Sequence, residues 1–530
     1  MDRLSASALL DLVLDDFTRW DTPLVAVPTD TRSAAPPASA ASSGAVASAG
    51  SGVSTRSDAS DRYDASARYG VELAAARERT GLDESVITGE GLLRGRRVAV
   101  VACEFGFLAG SIGVAAAERL VTAVERATAE GLPLLAATAS GGTRMQEGTV
   151  AFLQMVKIAA AVARHKAAGL PYLVYLRHPT TGGVFASWGS LGHVTVAEPG
   201  AMIGFLGPRV YEALYDEPFP KGVQVAENLY RHGIVDAVQP PEALAAVADK
   251  ALSVLMGPRG GGPSLEDLPQ EELPDIPAWD SITISRRLDR PGVCQLLRYA
   301  ANNVVPLNGT GQGETDPGLL LALARFGTAP CVVLGQDRRA QTELEPMGPA
   351  ALREARRGMR LAAELGLPLV TIIDTPGGAL SQAAEEGGMA GEIARCLAEL
   401  VTLEAPTVSV LLGQGTGGAA LALVPADRVL AALHGWLSPL PPEGASAIVW
   451  RDTAHAPEMA AAQGVRSADL LAHGIVDRVI PEHPDAADEP KPFCLRLGQA
   501  LEHELHHLTT QTPSSRTTTR HTRYRHLGLP

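Results

Sequence analysis

Short runs of Val, Leu, Ile and Ala alternate along this chain with longer stretches whose apolar residues recur every three or four positions. Arg97–Ala102, Leu132–Ala137 and Pro171–Leu176 read as buried strands, with Val114–Ala129 and Met145–Ala168 as the helices between them. From Cys331 the order returns as Cys331–Leu334, Ala351–Leu365, Leu367–Ile373, Glu385–Leu403 and Pro406–Leu411. Strands without polar alternation, separated by helical spacings, belong in a parallel sheet covered on both faces. The pattern therefore predicts an α/β chain of βαβ units.

The second series repeats the first in residues as well as in pattern. Gly131-Leu132-Pro133-Leu134 returns as Gly366-Leu367-Pro368-Leu369, Pro171 as Pro406, and Thr181-Gly182-Gly183 as Thr416-Gly417-Gly418, each 235 positions on. His232-Gly233-Ile234-Val235-Asp236 returns as His473-Gly474-Ile475-Val476-Asp477, 241 positions on. Duplication of a whole domain accounts for these matches. The expected organisation is a docking segment over 1–32, a disordered linker over 33–62 and a first domain over 63–256. A linker over 257–290, a second domain over 291–508 and a disordered tail over 509–530 complete it. Residues 33–62 are dominated by Ala, Ser, Gly and Pro, which bury too little apolar surface to offset ordering entropy. Pro, Gly and acidic residues mark 257–290, and Thr and Arg mark the tail.

Composition narrows the picture. A chain of 530 residues with 46% hydrophobic and 20% charged content buries more than one core. The net charge of −14 and the 4% aromatic share argue against a nucleic-acid reader. The five cysteines, Cys103, Cys294, Cys331, Cys396 and Cys494, form no C-x-x-C pair, so neither a disulfide framework nor a zinc ribbon is read from them. The start of the chain lacks a basic segment followed by an apolar one, and no apolar run reaches 18 residues. A soluble, cytoplasmic protein with no membrane partner is expected.

Each half brings two glycine pairs to one rim of its expected sheet: Gly141-Gly142 with Gly182-Gly183, and Gly377-Gly378 with Gly417-Gly418. Glycine at a strand-to-helix turn permits unusual dihedrals, and the helix start offers unpaired N–H groups suited to an anion or a developing oxyanion. No P-loop is present. Gly413-Gln414-Gly415-Thr416-Gly417-Gly418 approximates a dinucleotide fingerprint, but the first half has no counterpart. No G-x-S-x-G elbow occurs, and Glu502-His503-Glu504-Leu505-His506-His507, whose His-Glu pairing invites a metal reading, reads as helix surface near a polar tail. His232 and His473 read as last-turn histidines before a glycine cap.

These residues carry a resemblance. Residues 70–240 resemble the β subunit of the bacterial acetyl-CoA carboxylase carboxyltransferase through Arg79-Thr80-Gly81-Leu82, Val86-Ile87-Thr88-Gly89, Phe107–Gly113, Ser140–Glu147, Ala197-Glu198-Pro199 and Ile203–Val210. Residues 330–482 resemble its α subunit through Ile373-Asp374-Thr375-Pro376-Gly377, Ala384-Glu385-Glu386, Ile393-Ala394-Arg395 and Pro442–Trp450. The resemblance implies two tandem crotonase-like domains of parallel-sheet ββα repeats, transferring CO2 from carboxybiotin to acetyl-CoA to give malonyl-CoA. It assigns the thioester oxyanion to Gly182 and Gly183, and the ureido oxygen of biotin to Gly418 and Ala419. Gly141, Gly142, Gly377, Gly378 and Gly417 support substrate binding in that scheme, with Arg119 and Arg144 as candidates for the CoA phosphates. Arg338, Arg339, Arg353, Arg356 and Arg357 form a denser basic cluster, open to carrier or CoA. No side-chain base is required, since biotin itself takes the methyl proton once CO2 has left.

The chain has no Met-Lys biotinylation motif and no ATP-grasp loop, so the resemblance implies biotin on a separate carrier protein and a separate biotin carboxylase. No cysteine precedes Cys103, so the zinc ribbon of many β subunits is not expected. A homo-oligomer follows, a dimer first and a hexamer second, because in this family one protomer's first half meets another's second half. A propionyl-CoA enzyme, a decarboxylase of the same fold and a non-catalytic scaffold remain alternatives.

Overall fold

The computed structural model describes residues 4–21, 57–258, 271–342 and 344–529. The first sheet is built from β1 (Asp16–Arg19), β2 (Val86–Leu93), β3 (Arg96–Cys103), β4 (Leu134–Ser140), β5 (Tyr172–Thr181), β6 (Val194–Ala197), β7 (Ile203–Gly204) and β8 (Ala237–Val238). The second uses β9 (Ala301–Leu307), β10 (Leu319–Phe326), β11 (Ala329–Gln336), β12 (Leu369–Thr375), β13 (Thr407–Thr416), β14 (Arg428–Ala432), β15 (Trp436–Ser438) and β16 (Arg478–Ile480). Their orders are β1-β2-β3-β4-β5-β6-β8 with β7 beside β5, and β9-β10-β11-β12-β13-β14-β16 with β15 beside β13. The second sheet copies the first strand for strand.

Register agrees as well. Ala99 pairs with Leu134 and Leu134 with Tyr172; Val332 pairs with Leu369 and Leu369 with Thr407. The first three strands of each sheet are antiparallel and the other neighbours parallel. Every residue of β4, β12 and β13 is buried, which explains their unbroken apolar runs.

The layers stack in one direction. Helices Val114–Ala129 and Gly148–Ala167 cover one face of the first sheet through Leu120, Val124, Ile158 and Val162. Its other face, with Val100, Leu135 and Leu173, shares one core with Leu252, Leu321, Leu334, Met359 and Leu365. Helix Pro490–Thr509 closes the far face of the second sheet with Phe493, Leu497 and Leu501. Each such fully buried aliphatic side chain contributes roughly 1.5–3 kcal/mol.

Three boundary expectations change. The linker expected over 33–62 lies outside the described residues as far as 56, and residues 57–62 open the helix Ser57–Thr80. Residues 259–270 of the 257–290 linker also lie outside them, but Ala278–Ser285 is a helix fixed to the second half by Trp436 Nε1 donating to Ser285 Oγ at 2.9 Å. The tail expected to be disordered over 509–530 forms the helix Pro513–His526. Its polar side chains bury by finding distant partners: Arg520 donates to the Leu400 and Leu403 carbonyls and pairs with Asp427. At the start, Leu9, Leu10 and Val13 of Ala6–Val13 enter the shared core, and β1 becomes the edge strand.

Candidate active site

At the end of β4, Ser140 Oγ accepts the Gly142 N–H at 3.0 Å and donates to the Gly110 carbonyl at 2.6 Å. Gly142 takes φ +103°, and a Cβ there would stand 3.0 Å from Gly183 N and 3.3 Å from Gly182 Cα. The two glycine loops of the first half therefore touch, and only glycine fits between them. Gly182, at φ +62°, spends its N–H on the Phe205 carbonyl at 3.1 Å. Gly183, in the first turn of the short helix Gly182–Phe185, has an N–H with no partner among the described residues.

The second half repeats the turn. At the end of β12, Thr375 Oγ1 accepts the Gly377 N–H at 3.1 Å and donates to Gln341 Oε1 at 2.6 Å. Gly377 takes φ +135° and Gly417 φ +68°. Gly142 thus corresponds to Gly377, so the pairs Gly141-Gly142 and Gly377-Gly378 are staggered by one residue, because the turn needs positive φ at one position only. A Cβ on Gly378 would stand 3.4 Å from the Ala419 Cβ, which places this loop against the helix Gly417–Leu421. The N–H groups of Gly418 and Ala419 have no partner among the described residues. Beside them the buried Thr416 hydroxyl also has none.

Behind this second loop lies a polar layer that the first half lacks. Gln336, fully buried, accepts the Asp374 N–H at 3.2 Å and donates to the Ala419 carbonyl at 2.9 Å. Asp374 Oδ1 accepts the Gln414 N–H at 3.1 Å, and Oδ2 lies 3.4 Å from Arg338. Burial pushes the Asp374 carboxyl above the usual carboxylate range, with Arg338 pulling the other way.

The arginines expected to meet CoA are engaged elsewhere. Arg144 is 0% exposed and grips Glu84 through two bonds of 2.5 and 2.6 Å, with a third to the Ser111 carbonyl at 2.7 Å. Burial lowers its pKa, but the Glu84 carboxylate more than offsets this and the net shift is upward. Tyr69 joins the network by donating to Glu147 at 2.5 Å, and burial, helped by that bond, pushes its hydroxyl up to about 12. Arg119 pairs with Asp83 at 2.7 Å and with Asp21 at 3.5 Å. These placements correct the reading of Arg119 and Arg144 as phosphate ligands: both are internal ties. The second-half cluster is likewise spent internally. Arg353 and Arg356 pair with Glu392, Arg357 with Asp236, Arg338 donates to the Ser285 and Arg287 carbonyls, and Arg339 to that of Arg290.

The equivalent hydroxyls Ser140 and Thr375 stand 235 positions apart, and that offset was a signal for them. Thr416 fell within the repeat at the same offset and Asp374 within the Ile373–Gly377 run, but Gln336 carried no signal, since its partners lie 38 and 83 residues away. Among the described residues no group of three or more His, Cys, Asp or Glu side chains is arranged to hold a metal, and no helix is long and apolar enough to cross a membrane.

Two α/β domains of one design in tandem, each folded onto a pair of glycine turns, define a crotonase-like class of protein. Among solved structures, the transcarboxylase 12S hexamer core with methylmalonyl-CoA and methylmalonic acid bound superposes with a TM-score of 0.66 at 21% identity, covering 81% of this chain and 82% of that one. A single-chain, multi-domain long-chain acyl-CoA carboxylase superposes with a TM-score of 0.62 at 20% identity, over 79% of this chain and 41% of that one. These likenesses establish the tandem crotonase-like fold. The chain belongs to the carboxyl transferase domain family, which it matches over residues 60–519. A Mycobacterium tuberculosis relative described as a probable biotin-dependent acyl-coenzyme A carboxylase beta3 subunit is 68% identical over 463 residues, 87% of this chain and 92% of that protein. A Salinispora arenicola relative described as acetyl-coenzyme A carboxylase carboxyl transferase subunits beta/alpha is 40% identical over 441 residues, 80% of this chain and 78% of that protein.

Proposed function

We propose that this chain is the carboxyltransferase component of a biotin-dependent acyl-CoA carboxylase, with acetyl-CoA as acceptor and malonyl-CoA as product. The observation that carries the reading is the pair of matched loops, each presenting a first-turn N–H without a partner among the described residues. Gly183 N–H serves the thioester oxygen, which becomes negative when the acyl α-carbon loses its proton; the spent N–H of Gly182 leaves that role to its neighbour. Gly418 and Ala419 N–H groups, beside the unpartnered Thr416 hydroxyl, fit a second oxygen acceptor such as the ureido oxygen of biotin. Carboxybiotin, brought by a separate carrier and charged by a separate biotin carboxylase, supplies the carboxyl group. Donors fixed before the reaction stabilise developing charge without reorganising, and removing one costs roughly 2.7–4 kcal/mol.

The family membership and the biotin-dependent description of the 68% relative support this class; relatives near 40% supply the acetyl-CoA description. A cytoplasmic location and a homo-oligomer belong to the same proposal. Met145, 81% exposed, and Leu380, 98% exposed, follow the two glycine turns, and Val150, Phe152, Val156, Ile448, Val449 and Trp450 are exposed as well. A first half of one copy facing a second half of another covers both, and sedimentation as a fully active monomer would contradict it.

The test is a carboxyl-transfer assay with acetyl-, propionyl- and malonyl-CoA, with and without carboxylated carrier. Carrier-dependent consumption of acetyl-CoA is expected, and faster turnover of propionyl-CoA would move the acceptor. Transfer to none of them, with a charged carrier present, would overturn the reading. Ala419→Pro, which deletes one donor, is expected to lower turnover roughly 10²–10³-fold with the fold retained.

A further inference from the structure

We infer that Gln336 is a positioning residue for the second-half donors: its one side-chain amide ties the two glycine loops together and fixes the helix Gly417–Leu421 that carries the Gly418 and Ala419 N–H groups. This rests on the functional reading above, which names those donors.

The geometry is specific. Gln336 ends β11 and is fully buried. Its Oε1 accepts from Asp374 N at 3.2 Å, at the end of β12 just before the Gly377 turn, and its Nε2 donates to the Ala419 carbonyl at 2.9 Å, inside the second loop. Met347 Sδ lies 3.9 Å from the same nitrogen, so the amide has no water-filled side to turn towards. The surrounding backbone is held by further buried groups, Thr375 through Gln341 and Gln414 N–H through Asp374, but neither bond reaches the helix Gly417–Leu421. Gln336 does.

The first half shows what the residue replaces. By strand position Gln336 corresponds to Cys103, a buried thiol at the end of β3 whose pKa burial pushes up to about 11. There the glycine loops need no mediator: a Cβ on Gly142 would stand 3.0 Å from Gly183 N, and Gly182 N–H is pinned by the Phe205 carbonyl at 3.1 Å. In the second half the corresponding Cβ on Gly377 would find only Thr416 Cγ2, at 3.8 Å. The loops stand further apart, and the amide spans the gap. A helix of five residues held at its start by a glycine has little rigidity of its own, so the orientation of its first N–H groups follows from this tie.

The experiment compares wild type, Gln336→Met and Gln336→Glu in steady-state transfer and in amide hydrogen exchange. Gln336→Met keeps length and apolar bulk but loses both bonds; Gln336→Glu keeps the acceptor for Asp374 N–H and loses the donor to Ala419. Turnover is expected to fall on the order of 10–100-fold in Gln336→Met, as displaced donors would dictate, with KM for the acyl-CoA unchanged because that ligand sits on the first half. Exchange is expected to quicken at residues 417–422 and to stay as in wild type at 182–186. A folded Gln336→Met variant with wild-type exchange at 417–422 would overturn the inference, as would equal quickening in both halves. If Gln336→Met does not fold, the same two outcomes are read in Gln336→Glu. If the wild-type chain transfers no carboxyl group, the functional reading fails, and the exchange pattern still decides whether Gln336 fixes this helix.

Discussion

The repeated helices Val114–Ala129 and Pro349–Leu365 each bury an ionisable residue at the same place, Arg119 in the first half and Glu354 in the second, and the two have opposite charge. Arg119 holds Asp83, just before β2; Glu354 accepts the Gly309 N–H at 3.2 Å, before β10. Both fix the chain entering the antiparallel hairpin, so the backbone requirement survived duplication while the chemistry meeting it changed. Asp236 and Asp477 show the complementary case. Each accepts a strand N–H, from Thr195 at 2.8 Å and Val429 at 2.7 Å, and each pairs with an arginine. For Asp236 that arginine is Arg357 of the second half, at 2.8 Å; Asp477 meets two, Arg428 of its own half at 3.0 Å and Arg523 of the terminal helix at 2.7 Å. The helix Pro513–His526 therefore stands where a following repeat would, as a cap on the last one.

The largest expected effect breaks the contrast between a charged and an amide-based turn. Arg144→Met leaves Glu84 buried without its partner, which is expected to cost about 3–5 kcal/mol in urea denaturation. Gln341→Met, on the second turn, removes neutral bonds and is expected to cost about 1–3 kcal/mol. Equal losses would mean the two turns are supported alike.

Next come Asp236→Ala and Asp477→Ala, each expected to cost about 1.5–3 kcal/mol through lost bonds to a charged group. Their consequences should differ. Asp236→Ala removes one polar tie between halves that share a core, and is expected to lower the single unfolding transition seen by calorimetry without dividing it. Asp477→Ala loosens the terminal helix, which Arg520 still holds, and limited proteolysis is expected to cut within 513–526 sooner than in wild type. The same first cut in both variants would remove the idea that Arg523 and Arg357 do equivalent work.

The strands and helices were legible because burial on both faces of a sheet leaves unbroken apolar runs: Val114–Ala129 was expected over those residues and lies there. The 235-residue offset exposed the duplicated turns for the same reason, since positive φ at Gly142 and Gly377 admits little but glycine. What the sequence hid are pairings across distance. Arg144 looked like a phosphate ligand beside a glycine turn, because Glu84 stands 60 residues away. Arg520 looked like part of a solvated tail, because its carbonyl partners lie 117–120 residues back. Gln336 is one amide at the end of an apolar strand, and only the fold brings it to Ala419.

Taken per pH unit, the smallest expected effect concerns the proton on Glu354. Burial pushes this carboxyl up to about 8, with Arg357 opposing, while Asp316 and Asp236 add to the rise. Its ordinary value is 4.5, so between the two values the unfolded chain has released a proton that the folded chain still holds. Stability contributed by this group is then full below 4.5 and lost as pH rises towards 8, with a slope of about 1.4 kcal/mol per pH unit. Glu354→Gln keeps an acceptor for Gly309 and has no proton to lose, so its stability curve is expected to lack that slope. Arg119, whose pKa is raised from an already high value by Asp83 against the opposing effect of burial, keeps its charge throughout the window and gives the first half no such dependence. Parallel urea-midpoint curves for wild type and Glu354→Gln between pH 5 and 8 would place the ionised form of Glu354 in the folded chain, where Arg357, already shared with Asp236, would have to neutralise two carboxylates at once.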